Sequence, residues 1–240
     1  MNIQNEILNL LKSLKMNDSK FPKIRVGSNG DGGYVLPNDF EKIEKLLSIG
    51  IGEEDSFDRY FAERGVKVYQ YDHTIDNPPS HHSNYQFHKI AWAENDDIDQ
   101  RSLETMVDLA GINKTTNALL KFDTEGAEWD CFQKIDVEIL KHFKIIVCEL
   151  HGLNSIGNSN HRVKVKNLLD KLTLNHTPVH IHANNCCGIT IVEGVPIPAV
   201  VEVTLLRNDR SKFIQSNSRI PSSLDYPSMT DRPEIILSVF

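Results

Sequence analysis

Apolar, β-branched runs alternate along this chain with stretches of helical spacing. The runs lie at 46–51, 67–71, 86–92, 118–123, 144–150, 178–183 and 200–206. Their length and branching suit strands. The helical stretches lie at 3–15, 38–47, 55–64, 101–110, 129–142 and 161–174. Such alternation implies βαβ units with right-handed crossovers: an α/β, Rossmann-like fold with a mostly parallel seven-stranded sheet and helices on both faces. No helical stretch separates the last two runs, only the turn-rich 184–199. The pattern therefore predicts an antiparallel hairpin at one sheet edge. Ile3, Ile7, Leu8, Leu11 and Leu14 line one side of an N-terminal helix within an extension of residues 1–22. That helix can pack on its own domain or on a second copy, which leaves a homodimer open. Residues 208–240 form a tail rich in Ser, Asn, Asp and Pro, with 233–240 a candidate terminal strand. With no repeat or long linker, residues 1–240 read as one domain.

Composition narrows the function classes. A chain of 240 residues that is 40% hydrophobic and 25% charged reads as an ordinary soluble α/β protein. No apolar run reaches the roughly 18 residues of a membrane span, and no signal peptide opens the chain, so a cytoplasmic location is expected. A net charge of −7 argues against a general grip on nucleic acid. Cys131, Cys148, Cys186 and Cys187 lack paired zinc spacing and read as reduced thiols.

Two features place a cofactor. Gly50-Ile51-Gly52 follows the run 46–49, and Asp72 closes the run 66–71. A strand ending in a glycine turn lets a ligand lie against bare backbone, and an acidic residue about 20 positions on can take ribose hydroxyls. The full dinucleotide fingerprint would need a third glycine where Asp55 stands, after Glu53 and Glu54. Three carboxylates repel a pyrophosphate and suit the cationic S-adenosylmethionine. Asp55 and Ser56 open the next helix, His73 follows Asp72, and Ala91 lies in the run 86–92; all four are assigned to the cofactor site. An ordinary tight turn with a solvated acidic helix start is the competing reading.

Catalytic candidates gather at later strand ends. Asp123, followed by Thr124-Glu125-Gly126-Ala127-Glu128-Trp129, ends the run 118–123 and should face the ligand crevice. Glu125 and Glu128 can face the same site or cap the next helix. Glu149 and His151 share one face of their strand, and a histidine beside a carboxylate is a competent base at neutral pH. His180, His182 and Asn184 also share a face. With Asp123 and Glu149, these histidines could hold a divalent metal or orient a sugar. The stretch from Arg25 to Tyr34, four of its ten residues glycine, is a loop that can fold over the methionine end of the cofactor through Asp31, Gly32, Gly33 and Tyr34, or merely turn into a hairpin. Lys23, Arg25 and Arg207 could meet an anionic substrate or simply be solvated.

Arg25-Val26-Gly27 with Asp31-Gly32-Gly33-Tyr34, Ser48-Ile49-Gly50-Ile51-Gly52, Tyr71-Asp72-His73-Thr74, the Asp123–Trp129 block, Glu149-Leu150-His151 and His180–Cys186 together resemble the FkbM-like methyltransferases, among them the subset that includes the methyltransferase-like protein 24 group. The likeness runs over roughly residues 23–207. It implies a class I methyltransferase fold and S-adenosylmethionine-dependent methyl transfer, usually to oxygen. The acceptor it implies is a sugar hydroxyl, often nucleotide-linked, in capsular polysaccharide or a related glycan. Gly50, Gly52 and Asp72 match the cofactor motifs, and Asp123 and Glu125 the D-x-E-G signature. His151 is the expected base and His182 its competitor, with Asp123 or Glu149 orienting the base or, with His182, binding a metal. The rivals are an NAD-dependent oxidoreductase, a metal-dependent hydrolase built on Asp123, Glu149, His180 and His182, and a non-catalytic binding domain.

Overall fold

The computed structural model describes residues 2–237. Seven strands form the main sheet: β1 (Lys45–Ile49), β2 (Lys67–Tyr71), β3 (Tyr85–His88), β4 (Ala118–Phe122), β5 (Phe143–His151), β6 (His176–Val192) and β7 (Val195–Arg207). Their spatial order is 3-2-1-4-5-7-6, with β3, β2, β1, β4 and β5 parallel and β7 antiparallel to both its neighbours. The first five follow a doubly wound order that reverses between β1 and β4. The helices are α1 (Ile3–Lys12), α2 (Ser56–Ala62), α3 (Leu103–Leu109), α4 (Glu128–Cys131), α5 (Val137–Leu140) and α6 (Ser159–Asn175). All five residues of β4 are buried, as a central parallel strand covered on both faces requires. The two sheet faces carry separate hydrophobic clusters.

Three buried polar side chains pair with one another at this sheet. Ser48 and Gln70 each donate at 2.8 Å to the buried Asp58 carboxyl, which fastens α2 to β1 and β2. At the switch point the chain leaves β1 through Gly50, whose φ is +77°. A Cβ there would collide with the Asp123 carbonyl oxygen, so only glycine lets β1 and β4 approach this closely.

Several elements depart from the pattern-based expectation. Residues 38–47 are not a helix: a turn with Lys42 at φ +64° runs straight into β1. Here Asp39 is taken by Arg210, whose guanidinium donates to it at 2.7 Å and 3.0 Å, and Lys144 lies 3.9 Å away. The stretch 129–142 breaks into α4 and α5 because Asp136 caps a new start, accepting from the Glu138 amide. The run 86–92 splits after β3, and Ala91–Trp92 pairs with Gln100–Arg101 instead. The late hairpin exists, but the turn-rich segment continues both strands, with a bulge between Asn184 and Ile189, and β7 lies inside the sheet. The Gly-rich loop joins a small hairpin, Lys23–Val26 with Tyr34–Pro37. Ile7, Leu11 and Leu14 of the N-terminal segment are wholly buried in this chain's own core, against α6 and the 3-10 turn that precedes it. That face is therefore not free for a second copy. Residues 233–237 form no strand, and 238–240 lie outside the described residues.

The C-terminal tail is strapped across β6. The His180 ring meets Asp225 at 2.7 Å. His182 bridges Glu202 through Nδ1 and Glu234 through Nε2, both at 3.2 Å. Asn185 exchanges hydrogen bonds with the Met229 backbone. Burial works to lower the His182 pKa, but the Glu202 hydrogen bond and the charges of Glu202, Asp225 and Glu234 outweigh it and hold the ring up to about 9. His180, close behind, is pushed below its ordinary value by burial, against the pull of Asp225. An unfolded histidine titrates at about 6.5. The stability that this bridge contributes is thus full below that value and lost as pH rises through about 9. The exchange protection of residues 225–234, corrected for the intrinsic rise of amide exchange with pH, should fall between these two limits in the intact chain, and His182→Gln should flatten that fall.

Candidate active site

A cavity of about 510 Å³ opens at the C-terminal ends of β1, β2 and β4, where the strand order reverses. Ile51, Tyr71, Ile90 and Trp92 give it apolar walls. Its polar lining is one-sided: Asp31, Glu53, Glu54, Asp72, Asp123 and Glu125 face Lys121 as the sole Lys or Arg. Even that lysine is engaged, its ammonium donating to the Gly50 carbonyl. Burial, and then the charge of Asp123, holds the Asp31 carboxyl above its ordinary value.

Asp72 organises the floor. Its Oδ2 accepts the amides of Ile51 at 2.8 Å and Gly52 at 2.9 Å. Its Oδ1 accepts the amide and hydroxyl of Thr74 at 2.7 Å and 2.6 Å. Burial works to raise this carboxyl's pKa, but the hydrogen bonds from Gly52, Thr74 and Ile51 win and pull it below the usual range. A carboxylate offers about four lone-pair positions, so a ribose at Asp72 would have to share oxygens that already accept two hydrogens each. Above this turn, Gly52 has φ +59° and no atom within 4 Å of where a Cβ would stand, so its bare backbone faces open space.

A second cluster forms the far corner. Nε2 of His151 lies 3.6 Å from Asp123 Oδ1 and 3.5 Å from Glu125 Oε2. The Tyr34 hydroxyl donates to Asp123 Oδ2 at 3.1 Å. Behind His151 stands Glu128, wholly buried at the start of α4. Its Oε1 accepts the His151 amide at 2.8 Å, and its Oε2 accepts the Thr124 hydroxyl at 3.0 Å and the Gly126 amide at 2.9 Å. Burial works to lower the His151 pKa, but Glu128, Asp123 and Glu125 together lift it above its ordinary value.

Of the residues assigned from sequence, Asp31, Gly32, Gly50, Gly52, Asp72, His73, Asp123 and Glu125 line the cavity, with His151 at its edge. The others have different tasks. Asp55 turns away to accept from Ser80, and the Ser56 hydroxyl donates to Glu54. Gly33 lies against the Ser28 carbonyl, and Tyr34 supports Asp123 from behind. Ile90 and Trp92, not Ala91, reach the cavity. Glu149 is buried outside it, bonded by the Asn184 amide at 2.7 Å. Burial, and then the charges of Asp123 and Glu202, pushes its carboxyl well above the usual range.

His180 and His182 spend their rings on Asp225, Glu202 and Glu234, so neither joins Asp123, and the expected Asp123–Glu149–His182 metal set and the four-residue hydrolase set do not assemble. Lys23, Arg25 and Arg207 are absent from the lining; Arg25 bonds the Ser28 and Gly30 carbonyls, and Arg207 bonds Asp209. Sequence reasoning missed Thr74, Ile90, Trp92 and Lys121 as lining residues, and left Glu128 undecided.

Among solved structures, the chain is similar to one from a fibrillarin/Nop5p complex, at 12% identity and a TM-score of 0.40, over 69% of this chain and 73% of that one. No curated protein matches it in sequence. Residues 17–176 match the methyltransferase FkbM domain, a stretch that runs from the strand-like Asn17–Asp18 to the start of β6 and contains every lining residue of the cavity. A match over more than half of the chain places it: the protein belongs to the FkbM methyltransferase family and is an S-adenosylmethionine-dependent methyltransferase.

Proposed function

We propose that the chain methylates a hydroxyl oxygen of a sugar-like acceptor. The observation that carries the methyl-donor part of this reading is the charge of the cavity wall, six carboxylates against one lysine, at the switch point of a doubly wound sheet. The residues fit S-adenosylmethionine and not a dinucleotide. Its ammonium and sulfonium are cations, which Asp31, Glu53, Glu54 and Asp123 would attract. A pyrophosphate would meet the same carboxylates, and the N-terminus of α2 is already occupied by Glu54, whose carboxyl accepts from the Ser56 amide at 2.9 Å. The NAD-dependent rival therefore loses the site it needs.

When bound, the cofactor supplies a methyl carbon activated by positive sulfur. The protein's part is placement. Tyr71, Ile90 and Trp92 offer an apolar slot for the adenine, Gly52 a stretch of bare backbone, and Asp72 to Thr74 polar groups for the ribose. The corner of Asp123, Glu125 and His151 activates the acceptor hydroxyl. His151, beside Asp123 and Glu125, would take up the hydroxyl proton as the acceptor oxygen is methylated. Holding the reactants in line supplies much of the acceleration. The motif resemblance supports a sugar of a surface polysaccharide, free or nucleotide-linked, as acceptor.

Calorimetry should find S-adenosylhomocysteine binding to one site per chain and no heat with NAD; NAD binding with the thioether inert would remove the assignment. His151→Ala should cut turnover by about 10²-fold or more and change thioether affinity little. Full turnover in that variant would dismiss the corner.

A further inference from the structure

Nε2 of His151 stands 3.6 Å from Asp123 Oδ1 and 3.5 Å from Glu125 Oε2, and the three donor atoms lie within 4.8 Å of one another. These separations are too long for hydrogen bonds. The two distances from His151 fall between those of adjacent and opposite ligands on one small cation. With metal–donor bonds of roughly 2.1 Å, adjacent ligands sit about 3 Å apart and opposite ones about 4.2 Å. The donors come from three places: the end of β4, the turn after it and the end of β5. Two carboxylates aimed into one gap repel each other unless positive charge lies between them.

The groups around the gap are arranged for the same purpose. Tyr34 occupies Asp123 Oδ2 and leaves Oδ1 toward the gap. The Nδ1 of His151 is buried, has no hydrogen-bond partner, and faces Glu128 Oε1 at 3.5 Å. Glu128 is itself fixed by Thr124, Gly126 and the His151 amide. The negative charge of a carboxylate behind Nδ1 favours the proton on that nitrogen and leaves the Nε2 lone pair toward the gap. Glu125, with its side chain 88% exposed, is free to close on an ion.

We propose that Asp123, Glu125 and His151 bind a divalent cation of the magnesium–manganese class beside the cofactor. This inference rests on the methyl-transfer reading and adds the agent that activates the acceptor. Two carboxylates and an imidazole make a nitrogen–oxygen set suited to such ions, and three protein ligands leave positions for water and acceptor oxygens. The cation lowers the pKa of a hydroxyl that reaches it; the released proton passes to solvent. Acceptors with an oxygen next to the reacting hydroxyl, able to chelate, are favoured over isolated alcohols. His151 then serves as a ligand rather than a free base.

The test uses the full chain, stripped with EDTA and titrated with Mn²⁺ alone, with free ion followed by electron paramagnetic resonance. The expected result is one ion per chain, with affinity at least tenfold weaker in Glu125→Gln and in His151→Ala. Glu125→Gln changes an exposed side chain, so loss of fold does not confuse the result. His81→Ala with His82→Ala, in an outlying loop, should leave binding unchanged. Turnover should fall at least 100-fold in EDTA and return with Mn²⁺, while S-adenosylhomocysteine affinity stays constant. No uptake at millimolar Mn²⁺, uptake that survives both ligand variants, or full turnover in EDTA overturns the site, the last leaving His151 as a free base. Loss of thioether binding by the untreated chain would instead strike the methyl-transfer reading, and the Mn²⁺ titration would still decide the metal site.

Discussion

One carboxylate holds the working end of this fold together. Asp72, at the tip of β2, accepts four hydrogens, two from the backbone after β1 and two from Thr74. Without it, the buried Ile51 amide would lose its acceptor, at a cost of about 1–3 kcal/mol, and the part-buried Gly52 and Thr74 amides would turn to water. The glycine turn would have no reason to keep its shape. With it, Gly50 lies against the Asp123 carbonyl and Gly52 shows bare backbone to the cavity. The cavity floor is thus shaped before any ligand arrives, which spares binding the cost of ordering it.

The same economy appears with the other acids. Asp58 ties α2 to two strands, and Glu128 ties the turn after β4 to the end of β5. These carboxyls are consumed by internal donors. Asp31, Glu53, Asp123 and Glu125 instead leave oxygens toward the cavity or the His151 corner. The first group makes the scaffold rigid; the second sets the sign of what can bind. A methyl donor with positive sulfur, and a divalent ion beside it, suit one negative crevice.

Much of this was legible in the residue pattern. β-Branched runs mark five strands of the parallel core to within a few residues, and a missing helix marks the hairpin. The glycine turn, Asp72, Asp123, Glu125 and His151 could be named because each lies at a strand end, where a doubly wound sheet puts its ligand. What failed was long-range. His180 and His182 look like ligands until Asp225 and Glu234 arrive from the tail, distant in sequence. The apparent helix at 38–47 loses to an ion pair between Asp39 and Arg210. Glu128 could be read as a cap, since nothing local says that its carboxyl reaches the next strand. Trp92 and Ile90 sit in a run that only the tertiary fold bends toward the cavity.

The most direct measurement of the central constraint is amide hydrogen exchange at Ile51 and Gly52, read by NMR in the ligand-free chain. Both amides should exchange slowly, and Asp72→Ala should release them while core amides of β4 stay protected. Fast exchange of Ile51 and Gly52 in the unaltered chain would mean that Asp72 does not hold the turn, and that the cavity floor takes shape only when a ligand binds.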